Sequence, residues 1–129
     1  MKRTIVHTNS APAALGPYSQ GVLVEGGRTL YVAGQVPIDP QTGDVVGEGD
    51  IGVQTERVLD NIGAILQEAG MGFQNLVKVG IFLVDFEHFA EVNEIYGSRF
   101  SDAPPARTTV EIARFPRGFL LEIDAIAVA

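Results

Sequence analysis

From residue 50 to residue 69 apolar and polar positions follow one another with the period of a helix. Ile51, Thr55, Val58, Ile62, Ile65 and Ala69 fall on one stripe, with Asp50 placed to cap the start and Gly70 to close the end. The run LVKVGIFLV (76–84) is apolar on both faces, which marks a central strand covered on both sides. Asp85 then caps a second helix over 87–100, with Phe89, Val92, Tyr96 and Phe100 as its stripe. Shorter strands flank this centre. TIVHT (4–8) alternates loosely, GVLVEGGRTLYVAG (21–34) reads as two strands joined by a Gly-Gly hairpin turn, and 36–44 is a loop broken by two prolines. Strand 107–113 follows Pro104-Pro105, a Pro-Arg-Gly turn sits at 116–118, and a last strand spans 119–128.

The order is β-β-β-α-β-α-β-β, an α+β layer with two helices on one face of a mixed sheet. That leaves the second face of the sheet to explain. In the last strand Phe119, Leu121, Ile123, Ala125 and Ala127 share one side. Leu120, Glu122, Asp124, Ile126 and Val128 share the other, which is also largely apolar. Two helices cannot cover both faces, so the pattern predicts an obligate homo-oligomer with the second face at subunit interfaces. In strand 107–113 the period of two puts Thr108, Val110 and Ile112 on the expected core side. Arg107, Thr109 and Glu111 are expected on the other.

Composition narrows the picture. At 129 residues, 46% hydrophobic and 19% charged, the chain reads as one globular domain, 1–129, without repeat or linker. The absence of cysteine removes disulfides and thiol chemistry and fits a reducing compartment. There is no signal-like segment and no run near the roughly 18 apolar residues of a membrane span, so the expectation is a cytoplasmic chain with no membrane partner. Nine basic against sixteen acidic residues give a net charge of −7, with no basic stripe; nucleic acid is not an expected partner.

Each candidate for chemistry has a structural reading beside its functional one. Arg107 is either one half of a salt bridge to Glu111 or Asp102, or a fork that clamps a carboxylate or phosphate. Glu122, with apolar neighbours in the final strand, is either the partner of an arginine or a general acid/base. Asn93 interrupts the stripe of the second helix, where its amide either caps neighbouring backbone or orients a ligand. Tyr18, after a Gly-Pro turn, packs or lines a cleft. His7 in an edge strand and His88 in a solvated first turn form no metal-ligand spacing, and no phosphate-loop pattern exists.

Five blocks carry a resemblance: APAALGPYSQGV (11–22), LYVAGQVPIDPQTGDVV (30–46), FAEVNEIY (89–96), PPARTTVEIARFP (104–116) and LLEIDAIAV (120–128). In order and spacing they resemble the RidA/YjgF family of reactive enamine/imine deaminases, essentially end to end. The resemblance implies a chorismate mutase-like α+β fold and a homotrimeric barrel with clefts between subunits. It also implies hydrolysis of 2-aminoacrylate/2-iminopropanoate and related acids to 2-keto acids and ammonia, with no metal or organic cofactor. Carried over, the carboxylate-binding arginine is Arg107, the water-handling glutamate Glu122, the cleft tyrosine Tyr18 and the motif asparagine Asn93. Gly34 offers a backbone N–H to the carboxylate. Two positions depart from the commonest pattern: Ala33 stands where serine is frequent, and Thr109 where cysteine is. A lost serine hydroxyl removes about 0.5–1.5 kcal/mol of ligand hydrogen bonding, while the Thr109 hydroxyl can still hold a water. A non-catalytic 2-keto acid binding protein is the alternative. The ribonuclease or translation-inhibitor role attached to some family members sits poorly with a net charge of −7.

Overall fold

Three strands precede the first helix: β1 (Lys2–Val6), β2 (Gly21–Glu25) and β3 (Thr29–Gln35). In the computed structural model, which describes residues 1–129, they are followed by α1 (Ile51–Glu68), β4 (Leu76–Leu83), α2 (Phe89–Gly97), β5 (Ala106–Glu111) and β6 (Leu121–Val128). The expected order and the mixed α+β class are both observed. The Asp50 carboxylate accepts from the Val53 N–H at 3.1 Å to start α1. Gly70, at φ +72°, ends it, and the Met71 N–H returns to the Leu66 carbonyl. The second helix is shorter than its stripe suggests. Asp85 caps a single 3₁₀ turn, Phe86–His88, and the α-helix begins only at Phe89.

β3, β6, β4 and β5 form a four-stranded sheet in that order. β4 and β5 are parallel, with α2 as the crossover such a pair requires, and the other pairs are antiparallel. Val58, Leu59, Ile62 and Leu66 of α1 and Val92 and Tyr96 of α2 pack on one face. There they meet Val79, Ile81 and Leu83 of β4 and Leu121, Ile123, Ala125 and Ala127 of β6. The opposite face carries Tyr31, Lys78, Phe82, Val110, Glu122, Asp124 and Ile126, and Tyr31 is 76% exposed. No helix is long and apolar enough to cross a membrane.

Two expectations are corrected. The Gly-Gly segment does turn, with φ +74° at Gly26 and +89° at Gly27, but β2 and β3 do not pair. β2 pairs antiparallel with β1 instead, as a separate two-stranded sheet, and β3 pairs only with β6. A glycine pair signals the reversal, and tertiary contacts choose the partner. The Arg3 guanidinium donates to the Leu76 and Ala103 carbonyls, and the Ser19 N–H donates to the Pro105 carbonyl, holding this hairpin against the start of β5.

The second correction concerns the faces of β5. Val79, Arg107 and Ala125 are in register, as are Ile81, Thr109 and Ile123, so Arg107 and Thr109 share the helix-covered face. Thr108 and Val110 lie on the uncovered one and are exposed. β5 is an edge strand whose helix side is only partly roofed by α2. That leaves room there for polar side chains that a β-branched run alone does not reveal.

Gln54, fully buried in α1, accepts from the Leu120 N–H at 2.8 Å and donates to the Gly118 carbonyl, fixing the entry to β6. Gln54→Ala is expected to lower stability by about 1–3 kcal/mol, since it strands the Leu120 N–H. Urea unfolding measures this, and an unchanged midpoint would assign the anchoring of β6 to other contacts.

Candidate active site

Pro104 and Pro105 end the preceding turn and leave two free carbonyls just before β5. The Ser19 hydroxyl bonds to that of Pro104 and the Ser19 N–H to that of Pro105, which brings neighbouring Tyr18 against the strand. The Tyr18 hydroxyl accepts from the Leu15 N–H at 3.1 Å, so the tyrosine also fixes the loop before it. From the other side α2 presents Phe89, Asn93 and Tyr96, at i, i+4 and i+7.

Arg107 lies among these groups. Its Nη1 donates to Asn93 Oδ1 at 2.6 Å, and its guanidinium carbon stands 5.2 Å from the Tyr96 ring centre, 5.4 Å from Tyr18 and 5.8 Å from Phe89. Such contacts are each worth about 0.5–2 kcal/mol to a cation, more as water is removed. No carboxylate pairs with it: the structure's ion pairs join Arg99 to Glu56 and Asp60. The salt bridge to Glu111 or Asp102 is therefore absent, and Glu111 instead accepts from the Phe86 N–H at 2.8 Å. Asn93 caps no strand backbone; it holds the arginine.

Burial pulls the Arg107 pKa below its usual value, partly offset by Tyr96 and Tyr18, but a guanidinium does not lose its proton in a protein. What results is a half-buried cation with aromatic neighbours and no counter-ion. It borders a cleft of about 320 Å³ lined by Leu15, Tyr18, Phe86, Phe89, Arg107 and Thr109. The Thr109 hydroxyl oxygen is buried without a partner.

Glu122, Gly34 and Ala33 lie elsewhere. Glu122 is in register with Phe82 and, one strand further, Val110, on the sheet face away from the helices. It takes part in no ion pair. Gly34 sits at the irregularity between Val32 and Gln35, and its missing side chain is what admits the glutamate: a Cβ there would stand 2.6 Å from Glu122 Cδ. Ala33 is exposed, and its carbonyl accepts from Gln35 Nε2 at 3.0 Å. One chain thus brings Arg107, Tyr18, Asn93 and Thr109 together on one face and Glu122 with Gly34 on the other. His7 bonds to Asn9 at 3.3 Å, His88 is half-buried, and neither joins a cluster of possible metal ligands.

The profile described as Endoribonuclease L-PSP, that of the RutC/YjgF/RidA proteins, matches residues 8–129. The chain belongs to the RidA/YjgF family. Within it, the chain is similar to a RutC family protein of Synechocystis, 50% identical over 99% of this chain and 98% of the other. It is 45% identical to the 2-iminobutanoate/2-iminopropanoate deaminase of Mus musculus, across 98% of this chain and 91% of that one. A solved structure of RidA from an Antarctic Psychrobacter superposes with a TM-score of 0.74 at 37% identity, covering 98% and 99% of the two chains.

Around Arg107 this RidA-family chain uses residues that sequence reasoning did not single out. Tyr96, Phe89, Phe86 and Leu15 surround the arginine or wall its cleft, and the first two read as core stripe. The signal was available: Asn93 on that stripe had to face a polar group, and Phe89 and Tyr96 flank it. The Tyr96 hydroxyl is buried without a partner, and burial pushes its pKa well above the usual value, opposed in part by Arg107. The folded chain therefore keeps this proton where an unfolded tyrosine, with a pKa of 10.0, loses it. With more protons bound to the folded state, stability falls as pH rises above about 10. The urea midpoint should drop between about pH 9.5 and 11, and Tyr96→Phe should drop less; parallel curves would show that Tyr96 ionises freely in the fold.

Proposed function

We propose that the chain hydrolyses 2-imino acids and their enamine tautomers, such as 2-aminoacrylate/2-iminopropanoate, to 2-keto acids and ammonia. The observation that carries this reading is Arg107: a rigid, partly desolvated fork without a counter-ion, facing a cleft of small-molecule size. Such a group binds a carboxylate at two points. Relatives from mouse and cattle, 45% and 44% identical, bear the name of this activity, while others are named only as RutC family proteins.

Arg107 grips the carboxylate and holds the C=N carbon in reach of water. Water adds to that carbon, forming a C–O bond, and the nitrogen takes up the proton that the water gives to Glu122. Glu122 then passes the carbinolamine's hydroxyl proton to the nitrogen, the C–N bond breaks with its electron pair leaving on nitrogen as ammonia, and the oxygen's electrons close the C=O of the keto acid. Because Glu122 lies on the opposite sheet face from Arg107, the reaction needs Glu122 of the partner subunit. The uncovered face with Tyr31, Phe82, Val110 and Ile126 supplies the surface for such a neighbour, and a homotrimer is the assembly we propose. Thr109 forms part of the cleft wall next to the arginine, Tyr18 and Asn93 keep the arginine in place, and the Gly34 N–H, beside Ala33, meets the carboxylate from the Glu122 side. General acid–base help of this kind contributes about 10²–10⁴-fold.

A second reading is favoured by one observation: the arginine pocket is complete within one chain, whereas Glu122 is not part of it. A non-catalytic 2-keto acid binding protein needs only that pocket. The family profile's endoribonuclease description fits less well, because a net charge of −7 opposes approach to RNA.

A dehydratase-coupled assay that follows keto acid release separates these readings. Arg107→Ala should lose about 100-fold or more in kcat/KM, and Arg107→Lys should recover little, because an ammonium lacks the fork. Glu122→Gln should lower the rate about 10²-fold or more while calorimetric binding of 2-ketobutyrate persists. Full activity of Arg107→Ala overturns the proposal, an unchanged rate in Glu122→Gln removes that residue from the chemistry, and binding without turnover selects the binding protein.

A further inference from the structure

The face of the sheet that the helices leave bare is not uniformly apolar. Its side chains fall in three rows across the strands. Tyr31, Ile126 and Lys78 are in register in one, Asp124, Gly80 and Thr108 in the next, and Glu122, Phe82 and Val110 in the third. Gly80 makes room in the middle row: a Cβ there would collide with the Asp124 carboxylate, which occupies the space over the glycine. Lys78 reaches the same row, where its ammonium donates to the Thr108 hydroxyl at 2.8 Å. The cation is thus drawn towards β5 while the carboxylate lies over β4, and the two do not pair. The chain's ion pairs belong to Arg99 alone. Both charges border an open hollow of about 350 Å³ beside Tyr31 and Ile126, enough for an incoming side chain.

Resting on the homo-oligomer proposed above, we infer that these charges find their counterparts across the seam between copies: the Lys78 ammonium pairs with Asp124 of the partner subunit. A second copy is the occupant because the face is self-complementary. Lys78 is the one cation in these rows, and Glu122 is taken up by chemistry at the neighbour's arginine, which leaves Asp124 as the matching anion. Covering Tyr31, Phe82, Val110 and Ile126 strips water from Lys78 and Asp124 as well, and a charge taken out of water needs a partner of opposite sign. A head-to-tail contact of this kind uses each charge once per copy and repeats around a closed ring. Apolar surfaces alone tolerate several ways of sliding one sheet over another, whereas an ion pair selects one of them. Asp124 is two residues from Glu122 on the same side of β6, about 6.7 Å along the strand. The pair that sets the register between copies therefore also sets where Glu122 stands.

Sedimentation velocity over a dilution series reads the assembly of the intact protein. Asp124→Asn and Lys78→Met keep side-chain volume and each strands one charge, so the concentration at half-dissociation should rise about 30-fold or more. Lys78→Asp and Asp124→Lys, each alone, should do more, since they set like charges against each other. The two exchanges together in one chain should restore assembly. Far-UV dichroism checks that the dissociated copies keep their fold. Unchanged assembly in the single variants, a double exchange no better than either single one, or unfolding in place of dissociation overturns the inference. A wild type that stays a single copy at every concentration fails the homo-oligomer itself, and the inference falls with it.

Discussion

A guanidinium taken partly out of water without an opposite charge beside it is a costly arrangement, and the surroundings of Arg107 are organised to sustain it. Aromatic faces replace part of its hydration, and one amide oxygen fixes its plane. Neither contact neutralises it. The distinction matters because a carboxylate in that place would satisfy the cation and close the site. The nearest acidic side chain along the strand, Glu111, is occupied with backbone instead. The acidic surface of the chain, net charge −7, does not cancel this local demand, since short-range pairing outweighs a screened distant field.

The sheet supplies the other constraint. With a strict period of two, the covered face of β6 consists of Leu121, Ile123, Ala125 and Ala127, which obliges Glu122 and Asp124 to stand on the opposite side. The same alternation in parallel β5 sends Arg107 and Thr109 towards the helices. Cation and carboxylate cannot therefore meet through the sheet of a single chain. Chemistry that uses both has to be assembled from two copies, a requirement set by register alone.

Much of this was legible in the chain. Helical spacing with Asp50 and Gly70 located α1 to within a residue or two, and the doubly apolar run located β4. The alternation of β6 assigned its faces correctly. Arg107, Asn93, Tyr18 and Thr109, named from motifs and resemblance, converge in space. Two things were not legible. The faces of β5 were reversed because β-branched residues suit exposed strand positions as well as buried ones, and only the pairing with Val79 and Ile81 decides between them. The partner of β2 was misjudged because a Gly-Gly turn signals a reversal without saying what the strand meets next. Arg3 and Ser19, which settle it, act across 100 and 85 residues.

Those last two contacts have a kinetic meaning. The pocket beside Arg107 is a seam between the first twenty residues and the final third of the chain, and no local segment can form it in advance. Loop-closure entropy makes such distant pairings late and slow. An anion that requires the finished seam binds only the fully closed molecule, so its mass action stabilises the junction of the two ends rather than either half. Ligand occupancy thereby becomes a reporter of complete topology: a molecule folded everywhere except at its beginning would have its core and yet be unable to bind.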